Sequence, residues 1–266
     1  MNIWTEMSVK FANQRNYLDE LFKVYPISPN LRREISPSLQ KNIEKAFNDR
    51  NNDELIKSLL DLELFPIKDS YVSYFKRDPS SIKRNPQTVN RISGMLYDMG
   101  IDDIFDKCSA PKETNRQMGP LFKHWIDKKT LGAPVYKSVD AFLSSKGNAI
   151  LNVSDEEMKK FANNLFGYTR EKGLDFIARF NNTYVVGEAK FLTDFGGHQN
   201  AQFDDAVSTI KSSFVSKSLR AKVVPIAILD GVLYIPSKNK LYKYLENHPN
   251  QIIISSLLLR EFLFSL

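Results

Sequence analysis

Residues 174–190 read Leu-Asp-Phe-Ile-Ala-Arg-Phe-Asn-Asn-Thr-Tyr-Val-Val-Gly-Glu-Ala-Lys. Two runs of alternating apolar and polar residues flank the pair Asn181-Asn182. Asn tolerates the left-handed backbone conformations that a tight hairpin turn needs. The stretch therefore predicts a β-hairpin with a two-residue loop, in which Phe180 faces Thr183.

The predicted hairpin has two different faces, because side chains alternate between the two sides of a strand. In this register Asp175 faces Glu188 directly, and Lys190 lies on the same face two residues further along. We expect the opposite face to be apolar and to point into the core. It carries Leu174, Phe176, Ala178 and Phe180 on one strand and Ala189, Gly187, Val185 and Thr183 on the other.

The face with Asp175 and Glu188 has the residues that metal-assisted phosphodiester chemistry needs. Two carboxylates directly across a ladder lie about 5 Å apart and repel each other. A bound divalent cation would reverse that penalty, and a nearby lysine can meet a phosphate or an attacking water. The alternative is a solvated strand face with scattered charges. A bulge in the hairpin would separate Asp175 from Glu188.

The spacing of these residues resembles a known signature. Asp175, followed after twelve residues by Glu188-Ala189-Lys190, is similar to the catalytic motif of the PD-(D/E)XK nuclease superfamily, which includes many type II restriction endonucleases. The resemblance implies that Asp175 and Glu188 bind Mg²⁺ and that Lys190 orients or activates the attacking water. The chain departs from the motif at Leu174, where the family has its name-giving proline.

The resemblance also implies a fold. It covers about residues 154–245 and predicts an α/β, restriction-endonuclease-like core, with a mixed central sheet flanked by helices. We expect residues 151–266 to form this catalytic core. Residues 1–150 are expected to be mainly helical and to serve in DNA gripping or dimerisation, although the whole chain could also form one continuous globular unit.

Composition sets broad limits on the function. The chain has 266 residues, 42% of them hydrophobic, and a formal net charge of +6. A basic excess suits an anionic partner such as nucleic acid but does not identify one. The one cysteine, Cys108, excludes a disulfide within the chain and reads as a buried thiol. The three histidines have no zinc-type spacing with it.

The expected location is the cytoplasm of a prokaryotic cell. No signal peptide is visible at the start of the sequence, and no stretch approaches the roughly 20 apolar residues of a membrane span. The apolar segment 251–266 contains Arg260 and Glu261, so we interpret it as a buried strand or helix.

Helices are predicted over residues 1–24, 38–47, 53–64, 86–99, 115–128 and 138–143. Pro86 suits the first turn of its helix. The segment 81–100 has the pattern of a helix-turn-helix, and an ordinary helical pair gives the same pattern. Ser154 and Glu157 form a capping box for a helix ending near Leu165. Glu157 is also a candidate for an extra acidic residue of the active site, although capping alone explains it.

The residues after the hairpin are candidates for DNA contact. Gly196-Gly197 allows a sharp turn, and Asn and Gln side chains can bind adenine bidentately. The alternative is that this tract only turns the chain and begins the next helix, which should run to about Ser216. The candidate base contacts are His198, Gln199, Asn200 and Gln202, and the further candidate DNA contacts are Arg116, Lys123 and Lys172.

The last third of the chain has α/β order. Residues 222–230 are almost continuously apolar and predict a strand buried on both faces. Gly231 should turn this strand into a second one at 232–235, followed by a helix from Ser237.

These expectations converge on a Mg²⁺-dependent type II restriction endonuclease that cuts double-stranded DNA at a short specific sequence and leaves 5′-phosphates. Two-fold symmetric DNA favours a homodimer, and a cognate DNA methyltransferase is expected as a functional, not physical, partner. Two alternatives remain at this stage. One is a repair or recombination nuclease of the same fold without strict sequence specificity, and the other is a non-enzymatic, basic DNA-binding regulator.

Overall fold

The computed structural model describes residues 1–14, 16–27, 32–111, 113–214 and 221–266. The chain divides into two units, which we describe separately. Unit 1 joins Met1–Ile27 to Thr114–Leu266, and unit 2 is Ser28–Glu113. The chain passes between the units after residues 27 and 113, whereas we expected a single boundary at residue 150. The segments 1–27 and 114–150 belong to the unit that contains the hairpin.

Unit 1 is built around a mixed six-stranded sheet. Its strands, in spatial as well as sequence order, are β1 (Val135–Tyr136), β2 (Ala149–Leu151), β3 (Phe176–Phe180), β4 (Thr183–Leu192), β5 (Lys222–Gly231) and β6 (Ile252–Ile254). The pairs β2–β3 and β3–β4 are antiparallel, whereas β1–β2, β4–β5 and β5–β6 are parallel. With helices around it, this sheet confirms the predicted α/β class.

The hairpin of β3 and β4 has the predicted turn and register. Phe180 pairs with Thr183, and the pairing continues in step to Phe176 and Gly187. Asn181 and Asn182 both have positive φ angles, 44° and 61°, as a two-residue hairpin loop requires. Turn chemistry was therefore sufficient to fix how the two strands align.

The paired register ends at Phe176, so Asp175 lies just outside the ladder. This corrects the expectation that Asp175 faces Glu188 within it. The backbone N–H of Asp175 donates to the carbonyl of Gly187 (3.1 Å), one position short of Glu188. Leu174 belongs to the same hydrophobic cluster as Ile177, whereas Phe176 belongs to the other cluster, so the side-chain alternation slips by one residue here. Such a slip is the signature of a bulge.

Helices surround the sheet of unit 1. Their bounds are α1 (Ile3–Ala12), α2 (Tyr17–Val24), α9 (Thr114–Asp127), α10 (Val139–Ser144), α11 (Asp155–Phe166), α12 (Gly197–Ile210), α13 (Lys240–Asn247) and α14 (Leu259–Phe264). The predicted helix over 1–24 is therefore two helices, with Asn16 at φ 73° before the second. The capping box of Ser154 and Glu157 is confirmed at the start of α11.

Two expectations for unit 1 need correction. Residues Val232–Tyr234 form a 3₁₀ turn, not a strand, because Gly231 at φ 100° redirects the chain as β5 ends. The segment after residue 250 contains both a strand and a helix, β6 and α14. Helix α12 ends at Ile210, about six residues before the predicted end near Ser216.

Both faces of the hairpin are buried. Phe176, Ala178 and Val185 join the larger hydrophobic cluster of unit 1, whereas Ile177 and Val186 join a second cluster with α11. The face on which we expected Asp175 and Glu188 is therefore packed along most of its length. The polar residues of the predicted site lie at one end of the hairpin, near the start of β3 and the end of β4.

Unit 2 is helical, with its own core. Its helices are α3 (Pro37–Asn48), α4 (Asn52–Leu60), α5 (Ser70–Arg77), α6 (Ser81–Arg84), α7 (Pro86–Met99) and α8 (Ile101–Cys108). Pro86 opens α7, as predicted. Cys108 lies in the core, where burial raises the pKa of its thiol to about 12, so the thiol stays protonated at neutral pH.

Candidate active site

Asp175 lies just before β3, and its carboxylate accepts hydrogen bonds from two donors on β4. Oδ2 accepts a hydrogen bond from the backbone N–H of Ala189 (2.9 Å) and another from Lys190 Nζ (2.6 Å). The bulge brings this carboxylate to β4. Asp175 and Lys190, which are 15 residues apart in sequence, are thereby in direct contact.

Lys190 contributes the positive charge at the centre of the cluster. Its Nζ lies 2.6 Å from Asp175 Oδ2, 3.1 Å from the carbonyl oxygen of Ala189 and 3.6 Å from Glu188 Oε2. Burial lowers the pKa of this lysine, but the charges of Asp175 and Glu188 outweigh that effect and raise it above the ordinary value. The side chain is therefore an ammonium ion at neutral pH.

Glu188 is fully buried, and its two oxygens have different surroundings. Oε1 accepts a hydrogen bond from Thr209 Oγ1 on α12 (2.6 Å). Oε2 has no hydrogen-bond partner among the described residues, and its nearest cations are Lys172 Nζ at 3.4 Å and Lys190 Nζ at 3.6 Å. A buried carboxylate oxygen without a hydrogen bond is costly, so this atom is suited to bind a cation.

Further charged residues surround Glu188. Lys172 forms an ion pair with Asp205 on α12, and Arg170 Nη1 donates to Thr209 Oγ1 (2.7 Å) and to the backbone carbonyl of Asp205 (3.1 Å). Lys172 was predicted as a DNA contact, whereas Arg170, Asp205 and Thr209 were not among the predicted site residues. Asp205 and Thr209 are four residues apart on one helix, and that polar pair beside an apolar stripe was the available signal.

The two carboxylates of the expected metal pair are thus linked through Lys190 instead of facing each other across the ladder. Alternating charges run from Asp175 through Lys190 and Glu188 to Lys172 and Asp205. Within the described residues, no three His, Cys, Asp or Glu side chains form a group of the kind that holds a metal.

Glu157, the candidate extra acidic residue, is engaged at the start of α11. Its carboxylate accepts from the backbone N–H and the hydroxyl of Ser154, and these hydrogen bonds lower its pKa. The capping interpretation accounts for the contacts of this exposed side chain.

The tract after the hairpin forms the first turn of α12. Gln199 is only 5% exposed, and its Oε1 accepts a hydrogen bond from the backbone N–H of Thr193 (3.3 Å). A base contact by Gln199, as predicted, would have to compete with this buried hydrogen bond. His198 and Gln202 bond to each other on the surface, and Asn200 donates to the carbonyl of Phe195.

The two candidate phosphate contacts on α9 differ in their surroundings. Arg116 is exposed. Lys123 donates to the carbonyl of Val153 (2.8 Å) and forms an ion pair with Asp155. Lys123 therefore ties α9 to the start of α11, and a phosphate would have to compete with Asp155 for it.

A mixed sheet flanked by helices, with Asp, Glu and Lys gathered at one end of a hairpin, is the arrangement expected of a nuclease of the PD-(D/E)XK type. The family model of the Tsp45I type II restriction enzyme matches residues 2–266. The chain therefore belongs to the Tsp45I type II restriction enzyme family. Comparison with curated proteins and with solved structures found no match.

Family membership decides between the three functional classes. The protein is a type II restriction endonuclease, that is, a site-specific deoxyribonuclease, and its partner is double-stranded DNA. The repair nuclease and the regulator are set aside. Among the described residues, no helix is long and apolar enough to cross a membrane.

Proposed function

We propose that the protein hydrolyses both strands of a short specific DNA sequence with Mg²⁺, leaving 5′-phosphates, and that Asp175, Glu188 and Lys190 carry the reaction. The observation that supports this most strongly is the contact between Asp175 and Lys190 beside the buried Glu188, in a member of this enzyme family. Water would attack the scissile phosphorus in line with the leaving oxygen.

The donor set fits a divalent cation. Asp175 and Glu188 would hold it, since hard Mg²⁺ prefers carboxylate oxygens and Glu188 Oε2 is a buried acceptor without a hydrogen bond among the described residues. When bound, the metal would neutralise developing charge and lower the pKa of its water.

The chain's own groups would act on the phosphate. Lys190, kept as an ammonium by Asp175 and Glu188, would stabilise the extra negative charge of the transition state. Its three oxygen neighbours fix the direction of the ammonium before substrate arrives. Lys172, about one-third exposed, would either meet a neighbouring phosphate or remain with Asp205.

DNA contact would involve both units. In unit 1 we propose His198, Asn200, Gln202, Arg116 and Lys123, and we leave out the buried Gln199. In unit 2 we propose the segment 68–91, which has six basic and two acidic residues. Its exposed Tyr71 and Tyr74 line a groove with Arg84, Asn85 and Thr88, a surface of the polarity and charge that suits a DNA backbone.

The assembly would be a homodimer on DNA. One active site cuts one strand, and two antiparallel strands related by a two-fold axis call for two sites with the same symmetry. A DNA methyltransferase of the same specificity would protect the host DNA.

A plasmid digestion tests the proposed function. With Mg²⁺ we expect discrete bands, and with Ca²⁺ or excess EDTA we expect intact plasmid, because the larger coordination sphere of Ca²⁺ suits the chemistry poorly. Smeared products would instead indicate an unspecific nuclease. Full cleavage in EDTA would exclude metal-assisted hydrolysis.

A further inference from the structure

The two oxygens of Glu188 are not equivalent, and Thr209 is the reason. The Thr209 hydroxyl is fully buried and donates to Oε1 at 2.6 Å, whereas Oε2 has two ammonium groups at 3.4 and 3.6 Å but no hydrogen bond among the described residues. The side chain of Glu188 is thus held at one oxygen and open to cations at the other.

The direction of the Thr209 hydrogen bond follows from Arg170. A guanidinium group can only donate, so Thr209 Oγ1 accepts from Arg170 Nη1 at 2.7 Å. The single hydrogen of the hydroxyl is then available for Glu188. Its competing acceptor, the carbonyl of Asp205 in the preceding turn, is 3.4 Å away and carries no charge.

Arg170 is fixed in turn by α12. The same Nη1 donates to the carbonyl of Asp205 at 3.1 Å, so Arg170 spans the turn of helix that ends at Thr209. Arg170, Thr209 and Glu188 therefore form a polarised chain of hydrogen bonds, in which each donor strengthens the next.

We propose that Thr209 is a positioning residue for metal binding: it holds Oε1 of Glu188 and leaves Oε2 as the oxygen that binds the divalent cation. The inference rests on the proposed role of Glu188 as a metal ligand. Hydrogen bonds to ligating carboxylates set their orientation, and losing one typically costs about 10–100-fold in metal affinity or activity.

Thr209→Val is the decisive variant, because valine has the same shape without the hydroxyl. Thr209→Ser keeps the hydroxyl, and Ser208→Ala removes a hydroxyl on the same helix that donates to the carbonyl of Asp204 (2.6 Å), within its own helix. Two quantities are measured on the full-length protein. They are the Mg²⁺ concentration for half-maximal cleavage and the Ca²⁺ concentration for half-maximal gain in affinity for an uncut duplex.

We expect Thr209→Val to raise both metal concentrations about 10–100-fold, while the maximal rate at saturating Mg²⁺ changes less. Thr209→Ser should stay near wild type, and Ser208→Ala should match it. If Thr209→Val does not fold, Arg170→Met provides a second variant, since it removes the donor to Thr209 and should raise both concentrations by a smaller factor.

The experiment distinguishes failure of the proposed function from failure of the positioning role of Thr209. If the wild type responds to neither metal, the proposed function is wrong. If the wild type responds and Thr209→Val has the same metal dependence, or loses thermal stability alone, the hydroxyl only satisfies a buried carboxylate and the positioning role is excluded.

Discussion

At the scale of single residues, the site depends on charges that are buried together. Lys190 is surrounded by oxygens of three residues, two of them carboxylates, and their charges keep its pKa high. A lysine of this kind stabilises negative charge well but is a poor base. In the proposed reaction a bound metal would therefore activate the water, and Lys190 would stabilise the charge on the phosphate.

A second buried carboxyl, Asp230 at the end of β5, has a structural role. It is fully buried and accepts hydrogen bonds from Tyr25 Oη (2.9 Å), Ser255 Oγ (2.5 Å) and the backbone N–H of Ser256 (3.2 Å). Burial raises its pKa above the ordinary value of 3.8, although these hydrogen bonds oppose the rise. The folded protein thus holds this proton to a higher pH than the unfolded chain does.

This shift predicts how stability depends on pH. The contribution of Asp230 is fully present below pH 3.8 and is lost as the pH rises through the folded-state pKa. Asp230→Asn removes the titration while its amide oxygen can still accept from Ser255 and Ser256. We therefore compare the free energies of unfolding of wild type and variant, measured with urea. The wild-type value minus the variant value should fall as the pH rises from 3.8. A difference that is constant between acidic and neutral pH would refute the shift.

At the scale of elements, β4 depends on a glycine. A Cβ atom built on Gly187 would lie 2.5 Å from the carbonyl oxygen of Ile226 on β5, a backbone atom that cannot move without shifting the strand. Gly187→Ala should therefore push β4 away from β5 next to Glu188. We expect the free energy of unfolding to fall by about 1–3 kcal/mol and cleavage to slow.

Gly94 on α7 provides the matched control, because a Cβ atom there would have no described neighbour within 4 Å outside its own helix backbone. Gly94→Ala should raise the free energy of unfolding by roughly 0.5–1 kcal/mol, as Ala favours a helix interior over Gly. Denaturant unfolding of both variants tests the pair. Equal effects of the same sign would contradict the close approach of β4 and β5 at Gly187.

Some features of the hairpin and its neighbours could be predicted from the sequence, and others could not. The hairpin register followed from Asn181-Asn182, because only a few residues suit that turn. The bulge at Asp175 did not follow, since it depends on contacts with Ala189 and Lys190 that form only after folding. Thr209 was only partly indicated: its spacing from Asp205 marks a polar pair on α12, but no local pattern shows that this turn packs on Glu188.

The proposed DNA surface of unit 2 is tested by salt dependence. Arg77 and Lys83 are exposed, and each contact with a phosphate adds about 0.9 to the slope of log affinity against log salt. The double variant Arg77→Ala, Lys83→Ala should lower the slope by up to about 1.8 and weaken specific and non-specific binding alike. The control is Lys41→Ala, Lys45→Ala on α3, which should keep the wild-type slope; an unchanged slope in the first variant would exclude this surface.

At the scale of the whole molecule, the central question is how one chain acts on two strands. Sedimentation with a short duplex that contains the target sequence, in Ca²⁺, should give two chains per duplex. Each chain would supply Asp175, Glu188 and Lys190 to one strand. One chain per duplex, together with cleavage of both strands in Mg²⁺, would contradict the dimer.

The most direct test of the account is the cleavage rate of Lys190→Ala on that duplex, compared with Lys160→Ala, which changes an exposed lysine of α11. We expect the Lys190 variant to lose at least about 10²–10³-fold in rate, the cost of removing one donor to transition-state charge. Its affinity for the duplex should stay within about tenfold, because one phosphate contact among many contributes modestly. The Lys160 variant should cut normally. A Lys190→Ala protein that cuts at the wild-type rate would remove Lys190 from the active site.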